Sequence, residues 1–274
     1  MLINAYLNRL RLAGYRPSTI TARQTCLRAY ERTLAAHQVT VASATRLHVE
    51  AFLARDLAPE SRRAYAGHLR GLYRWAVEEG HIHSDPTDRL PSVRIPRAVP
   101  RPIDPDDLRK AVELASPRMR AWLLLMAMQG LRCIEVAALR PQDVTVTDTG
   151  GVLFLRETKG GGTASMPAHT SIIAALERLP QRDGLWWECT RRHVSLEVSV
   201  YLRSLGIDAT AHMLRHRAGT DWFRASGHDL LTTARLLRHE SVKTTMVYAQ
   251  LDPRRPAEVL GLTHAPGRST LRAV

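Results

Sequence analysis

The chain has 274 residues, 45% of them apolar, and 39 Lys+Arg against 26 Asp+Glu, for a formal net charge of +13. That length favours two domains over one, and the apolar content argues against wholesale disorder. No apolar run approaches the roughly 20 residues of a membrane span, and the opening MLINAYLNRLRLAG lacks a signal-peptide profile. The three cysteines, Cys26, Cys133 and Cys189, are odd in number, far apart and in no Cys-x-x-Cys pair. A disulfide framework and a zinc ribbon are thereby excluded, and a reducing cytosol fits. An isoelectric point near 10.6 points to a polyanionic partner, nucleic acid ahead of an anionic membrane surface, although a merely basic protein would carry the same charge.

In chain order, Ile3, Tyr6, Leu7 and Leu10 form one apolar helical stripe ended by Gly14, and Ser18 is placed to cap a second helix running towards His37. A shorter helix is expected over His48–Ala54, and a fourth from Pro59 to Glu79 with Leu69, Leu72, Tyr73 and Ala76 on one face. The fourth helix also carries Arg62, Arg63, Arg70 and Arg74, which could face DNA, although neither a zinc spacing nor a helix-turn-helix pattern specifies a docking mode. Residues 1–85 thus read as a helical domain. Six of the fifteen prolines then fall in 86–105, interleaved with Arg89, Arg94, Arg97 and Arg101. Repeated proline favours an extended, semi-rigid linker, one that could lie along a phosphate backbone or simply be a solvated basic connector.

The remainder, 106–274, is predicted to be α+β. Asp104 and Pro105 look like a cap and first helical residue, Ala121–Met128 like a buried helix closed by Gly130, and a new helix is expected from Leu131–Arg132 to Leu139. The period changes over 144–167, which reads as three short strands with turns at Gly150–Gly151 and Gly160–Gly162; helices resume from His169, and the tail THAPGRSTLRAV reads as frayed. The fold class is therefore mainly α with a small antiparallel β-sheet.

Three segments carry candidate chemistry. In Gly130-Leu131-Arg132-Cys133-Ile134-Glu135, Arg132 opens a helix whose N-terminus already attracts anions, and Glu135 can hold the guanidinium; an ordinary helix-start ion pair accounts for the same residues. In His212-Met213-Leu214-Arg215-His216, the two imidazoles and the guanidinium share one helical face. A zinc reading is disfavoured, since Met213 stands where the metalloprotease pattern has Glu and a cation lies beside both imidazoles. The third segment, Leu236–Tyr248, contains Arg238, His239 and a helix capped by Ser241 that ends near Tyr248, by default a packing residue.

Taken together, two arginines, several histidines, one tyrosine and Lys159 in a glycine turn match what phosphodiester exchange through a protein nucleophile requires. Guanidinium forks neutralise the charge that builds on a five-coordinate phosphorus. A phenol can form a covalent phosphotyrosyl ester, and an ammonium, unlike a guanidinium, can protonate a leaving 5′-oxygen. Arginine outnumbers lysine 36 to three here, so a lysine in that turn is the more informative.

The ordered constellation Gly-Leu-Arg-x-x-Glu at 130–135, Lys159, His-x-Leu-Arg-His at 212–216, Leu-Leu-x-His at 236–239 and Tyr248 resembles the tyrosine recombinase (phage integrase) family, in a compact form without an arm-binding domain. The resemblance implies a four-helix core-binding domain, a catalytic domain, and no metal or nucleotide cofactor. It makes Tyr248 the nucleophile, Arg132 and Arg215 the phosphate clamp, Lys159 the general acid, His212 a proton-transfer residue and His239 a phosphate ligand, with Glu135 and His216 in support. It further implies site-specific recombination of double-stranded DNA in the cytoplasm by a homotetramer, assembled from a monomer or weak oligomer, with an accessory directionality protein possible. A chromosomal Xer-like resolvase, a DNA-relaxing topoisomerase and a non-catalytic DNA-binding relic are the alternatives. Two departures stand out: Arg238 occupies a position where the family often has Gly, and could touch DNA or crowd the turn, and the Lys159 turn lacks the basic residues common after it.

Overall fold

The computed structural model describes residues 2–95, 101–148, 150–156, 162–239 and 241–249. The chain divides into two compact units, Met1–Arg97 and Ala98–Val274. The first is built from α1 (Leu2–Leu12), α2 (Pro17–Ala35), α3 (Arg46–Ala54) and α4 (Pro59–Glu78). Their apolar stripes meet in one core that includes Leu27, Tyr30, Phe52, Leu69 and Tyr73. Its buried hydroxyls are paired: Tyr30 and Tyr73 share a hydrogen bond of 2.9 Å, and Tyr73 donates to the Val41 carbonyl at 3.0 Å. Ser18 is not the cap of α2, because Pro17 takes the first helical position, where its fixed φ and missing N–H suit it, and Arg16 is the capping residue.

The proline-rich stretch is not extended throughout. Thr87 and Leu90 are buried, the Asp85 carboxylate accepts from the Thr87 amide and hydroxyl at 2.6 Å each, and Arg70 donates to the Leu90 carbonyl at 2.9 Å. A side-chain turn at Asp85 and an apolar anchor at Leu90 thus fold residues 85–91 onto the first unit. At the far end Ile103 is buried in the second unit, its amide donating to the Met213 carbonyl at 3.3 Å.

The second unit comprises α5 (Pro105–Leu114), α6 (Pro117–Ala127), α7 (Cys133–Ala138), a three-residue 3-10 turn at Pro141–Asp143, β1 (Val144–Thr147), β2 (Gly150–Leu155), β3 (Ala164–Ala168), α8 (Thr170–Glu177), α9 (Arg191–Ser204), α10 (Ala211–Ala225), α11 (Leu230–Leu237) and α12 (Val242–Ala249). The strands form an antiparallel sheet in the order β1-β2-β3. The molecule is mainly α with one small antiparallel sheet. Gly150 and Gly151, expected in a turn, instead open β2 opposite Thr147 and Val146. Gly151 is needed for close approach: a Cβ there would lie 2.7 Å from Ile173 Cδ1 and 2.8 Å from the Thr145 carbonyl oxygen. The expected Gly160–Gly162 turn lies largely outside the described residues, as does the tail.

Helix α6 is the centre of this unit. It begins at Pro117, four residues before the expected Ala121, because Ser116 caps it by accepting from the Met119 amide. Trp122 on α6 is fully buried and meets Trp187 edge-on at 5.8 Å, and Trp187 donates its indole N–H to the Val136 carbonyl at 2.9 Å. That bond anchors α7, whose first turn carries the candidate site. Among the described residues no helix is long and apolar enough to cross a membrane.

Candidate active site

The site forms where the starts of α7 and α10 meet the turn after α11. Helix α6 ends at Ala127, and Gly130 reverses the chain with φ +59°. Arg132 is the residue before α7, not its first helical residue, and the Glu135 carboxylate reaches back to accept from its amide at 2.8 Å. Glu135 also accepts from the Arg132 guanidinium at 3.0 Å, so one carboxylate satisfies an orphan helix-start amide and fixes the side chain that amide carries. Its own side chain is fully buried, whereas that of Arg132 keeps 20% of its surface exposed.

Thr210 precedes α10, which places His212, Arg215 and His216 on successive turns of one face. His212 is exposed, and its ring lies against that of His216 at 4.3 Å, centroid to centroid. Arg215 is buried and donates to the carbonyls of Gly130 and Leu237, with Glu135 3.9 Å from its Nη1. Burial, reinforced by the neighbouring Arg132 cation, pushes its pKa down to about 9, which still leaves the guanidinium charged at neutral pH. The His216 pKa is pushed down to about 4, first by burial and then by the adjacent His212 and Arg215, so its imidazole is neutral.

Helix α11 ends on Arg238 in the left-handed conformation (φ 53°, ψ 48°), with the Arg238 and His239 amides returning to carbonyls of the last turn. This turn presents His239, whose Nδ1 lies 2.8 Å from the Thr245 hydroxyl. Burial, and then the Arg215 and Arg132 cations, hold the His239 pKa near 4. Tyr248 on α12 is buried, its hydroxyl 3.1 Å from His216 Nδ1. Its pKa is pushed up to about 12 by burial, against the opposing pull of Arg215 and Arg132. The phenol lies directly on α10 at Gly219, where an added Cβ would sit 2.8 Å from Tyr248 Cε1, so only glycine leaves room for it.

Arg132, His212, Arg215, His239 and Tyr248, separated by up to 116 residues of sequence, are thus drawn from four elements of one unit. Lys159 and Arg97 lie outside the described residues. Of the other arginines offered for DNA, Arg63, Arg74, Arg94 and Arg101 are exposed. Arg62 and Arg70 are engaged within the first unit: Arg62 donates to the carbonyls of Leu53 and Arg55 at 2.9 and 3.2 Å, and Arg70 to Leu90 and Pro91. Arg238 also turns inward, donating to Glu135 at 2.7 Å, because the left-handed turn aims its side chain under the site.

Some features of the site arise only from the fold. His216, given only a supporting part, is the side chain in contact with the Tyr248 hydroxyl; its i+3 relation to Gly219, a bare patch on the same face, was the available signal. A pocket lined by Arg132, Cys133, Ser195, Thr210, His212 and Arg215 adjoins a second one lined by Arg191, Arg192 and Arg203, the two sharing Cys133 and Ser195. The arginines of α9 thus extend the positive surface away from the clamp. All three cysteines are free, and among the described residues no cluster of His, Cys, Asp or Glu could hold a metal.

Guanidiniums gathered on one buried carboxylate, next to neutral imidazoles and a tyrosine hydroxyl, have the chemistry that phosphoryl transfer through a protein nucleophile requires. Residues 102–255 match the model of the phage integrase family, and residues 3–80 that of the phage integrase N-terminal SAM-like domain. The chain is 31% identical over 239 residues to tyrosine recombinase XerC of Pseudomonas aeruginosa, covering 80% of this chain and 76% of that protein. It is 30% identical to its counterpart in Xanthomonas campestris, over 77% and 70% of the two chains. The fold resembles that of a lambda integrase dimer bound to a COC′ core site (residues 75–356; TM-score 0.73, 17% identity, 89% of this chain and 95% of that one). The chain belongs to the phage integrase family of tyrosine recombinases, and it is a site-specific DNA recombinase.

Proposed function

We propose that this recombinase cuts DNA by in-line attack of the Tyr248 oxygen on the scissile phosphorus. The tyrosine O–P bond forms, the bond to the 5′-oxygen breaks, and a 3′-phosphotyrosyl ester remains. Lys159 supplies the proton that the departing 5′-oxygen takes up, and the phenol proton passes to the His216–His212 pair. Arg132 and Arg215 hold the non-bridging oxygens with His239, in a low-dielectric site where charge developing on those oxygens is worth most. The phosphotyrosyl link conserves the phosphodiester energy, so the 5′-hydroxyl of another strand can attack it and no metal or nucleotide is needed. The supporting observation is the convergence of both guanidiniums on Glu135 beside the Tyr248 hydroxyl.

With the phenol only 2% exposed against α10, attack requires it to leave this seat when DNA binds. Exposed Arg63, Arg74, Arg94 and Arg101, together with Arg191, Arg192 and Arg203, are the cations offered to duplex phosphates. Full recombination joins two duplex sites by two strand exchanges, which calls for four protomers on the synapsed DNA. The compartment is the cytoplasm, where the substrate lies.

A duplex nicked close to the cleavage point on the cut strand traps the intermediate, because the short fragment carrying the 5′-hydroxyl diffuses away. The wild-type chain is expected to accumulate a covalent DNA adduct that resists denaturant, and Tyr248→Phe to accumulate none. Absence of an adduct from the wild type on every trapped site would overturn the mechanism. Supercoil relaxation without joining of two specific sites would assign the same chemistry to a topoisomerase.

A further inference from the structure

We propose that Arg238 is a positioning residue for the phosphate clamp: by neutralising Glu135 and pinning the turn after α11, it leaves Arg132 and Arg215 free to act on the scissile phosphate. The proposal rests on the mechanism above. Arg238 stands in a backbone conformation that L residues rarely adopt (φ 53°, ψ 48°), where glycine would be unstrained. Its side chain is only 11% exposed, so the strained position does not serve a surface contact.

The inward side chain makes a specific set of bonds. One nitrogen donates to Glu135 Oε2 at 2.7 Å and lies 3.3 Å from the Gly130 carbonyl oxygen; the other donates to the Leu236 carbonyl at 3.0 Å. Glu135 therefore faces three guanidiniums, with Arg132 on Oε1 at 3.0 Å and Arg215 3.9 Å from Oε2. Three cations on one carboxylate leave a net charge of +2. With Arg238 absent the cluster falls to +1, and Glu135 competes directly with the substrate phosphate for Arg132 and Arg215. A phosphodiester carries one negative charge and its five-coordinate transition state about two, so the second uncompensated cation matters most at the transition state.

The backbone of the same turn completes the link. The Arg238 carbonyl lies 3.4 Å from Arg132 Nη2, and the Leu237 carbonyl accepts from Arg215. The residue that balances Glu135 thus belongs to the turn whose carbonyls orient both clamp arginines and whose next residue is His239. Loss of the Arg238 charge should slow the chemical step while leaving duplex affinity nearly intact, the signature of an interaction expressed at the transition state.

The test measures single-turnover adduct formation on the nicked duplex, duplex affinity and thermal melting for wild type, Arg238→Gly, Arg238→Gln, Arg238→Lys and the pair Glu135→Gln with Glu135→Gln/Arg238→Gly. Arg238→Gly and Arg238→Gln are expected to cleave about 10- to 100-fold more slowly, as supporting residues behind a reactive centre do, with affinity within about 3-fold. Arg238→Lys should recover most of the rate, and in the Glu135→Gln background the added glycine should cost less than about 3-fold. If the Glu135→Gln proteins do not fold, the contrast between Arg238→Gln and Arg238→Lys decides the matter, because it separates charge from packing. Wild-type cleavage by Arg238→Gly overturns the proposal. So does a loss of affinity equal to the loss of rate, which would make Arg238 a DNA contact, or an equal loss in both Glu135 backgrounds. An adduct absent from the wild type itself overturns the underlying mechanism instead.

Discussion

Gly130→Ala perturbs the fold and the site through one methyl group, and both effects can be sized from the structure. The φ of +59° places any L residue in the left-handed region, at a cost of about 1–2 kcal/mol. The new Cβ would sit 2.9 Å from Trp222 Cη2 and 3.3 Å from Leu237 Cδ2, and Trp222 and Leu237 belong to the packing under the site, so relief by overpacking costs about another 1–3 kcal/mol. Together these give a loss of about 2–5 kcal/mol, a large part of the roughly 5–15 kcal/mol that stabilises a typical domain. Gly130 also supplies a carbonyl to Arg215, and a shift of about 1 Å in such a support costs about 100-fold in rate. The control is Gly67→Ala on α4, where the backbone is helical and nothing lies within 4 Å of the new Cβ. There the same substitution should stabilise by about 0.5–1 kcal/mol through helix propensity alone. Urea titrations at constant slope, read alongside single-turnover cleavage, measure both. A Gly130→Ala protein within about 0.5 kcal/mol of wild type and cleaving at full rate would refute the assignment of Gly130 as the pivot of the clamp.

Acid should destabilise the second unit. His216 and His239 titrate near 4 when folded against an ordinary 6.5, so the unfolded chain takes up protons first and stability present above pH 6.5 is lost as the pH falls towards 4. Melting temperatures across that window should fall less steeply for His239→Gln, and an unchanged slope would contradict the stated burial. Replacing Arg191, Arg192 and Arg203 with Ala should make the salt dependence of duplex binding shallower by about two to three in log–log slope, if each touches one phosphate; an unaltered slope would remove α9 from the DNA surface. Lys159→Ala should slow cleavage by about 10²–10⁴-fold on an ordinary duplex. A duplex with sulfur in place of the bridging 5′-oxygen should restore the rate, because a thiolate departs without a proton; an equal defect on both duplexes would place Lys159 elsewhere.

Much of this architecture was legible in the sequence because it is local. The stripe Ile3–Leu10, the α4 face of Leu69, Leu72, Tyr73 and Ala76, and the cap at Asp104 follow from periodicity and side-chain chemistry over a few residues. Pairing across long separations was not legible. The inward turn of Arg238 depends on a carboxylate 103 residues earlier, and the engagement of Arg70 with Leu90 on the folding back of a stretch whose prolines read as extended. The same blindness affected Gly150 and Gly151, where composition suggested a turn and pairing with Thr147 and Val146 makes a strand, in which Gly151 leaves room for Ile173. For the site, the motifs supplied residue types and helical faces. They did not reveal which histidine touches the tyrosine, since His212 and His216 lie on the same face and only the seat of Tyr248 against Gly219 distinguishes them.

The proposed cleavage turns on a covalent bond between the Tyr248 oxygen and a DNA 3′-phosphate. Digesting the trapped adduct with trypsin and sequencing the DNA-linked peptide by mass spectrometry tests it directly. The peptide Thr244–Arg254 is expected to carry the DNA through Tyr248, attached at a 3′ end, with no linked peptide from Tyr248→Phe. Linkage at any other residue, attachment to a 5′ end, or strand cleavage that persists in Tyr248→Phe would contradict it.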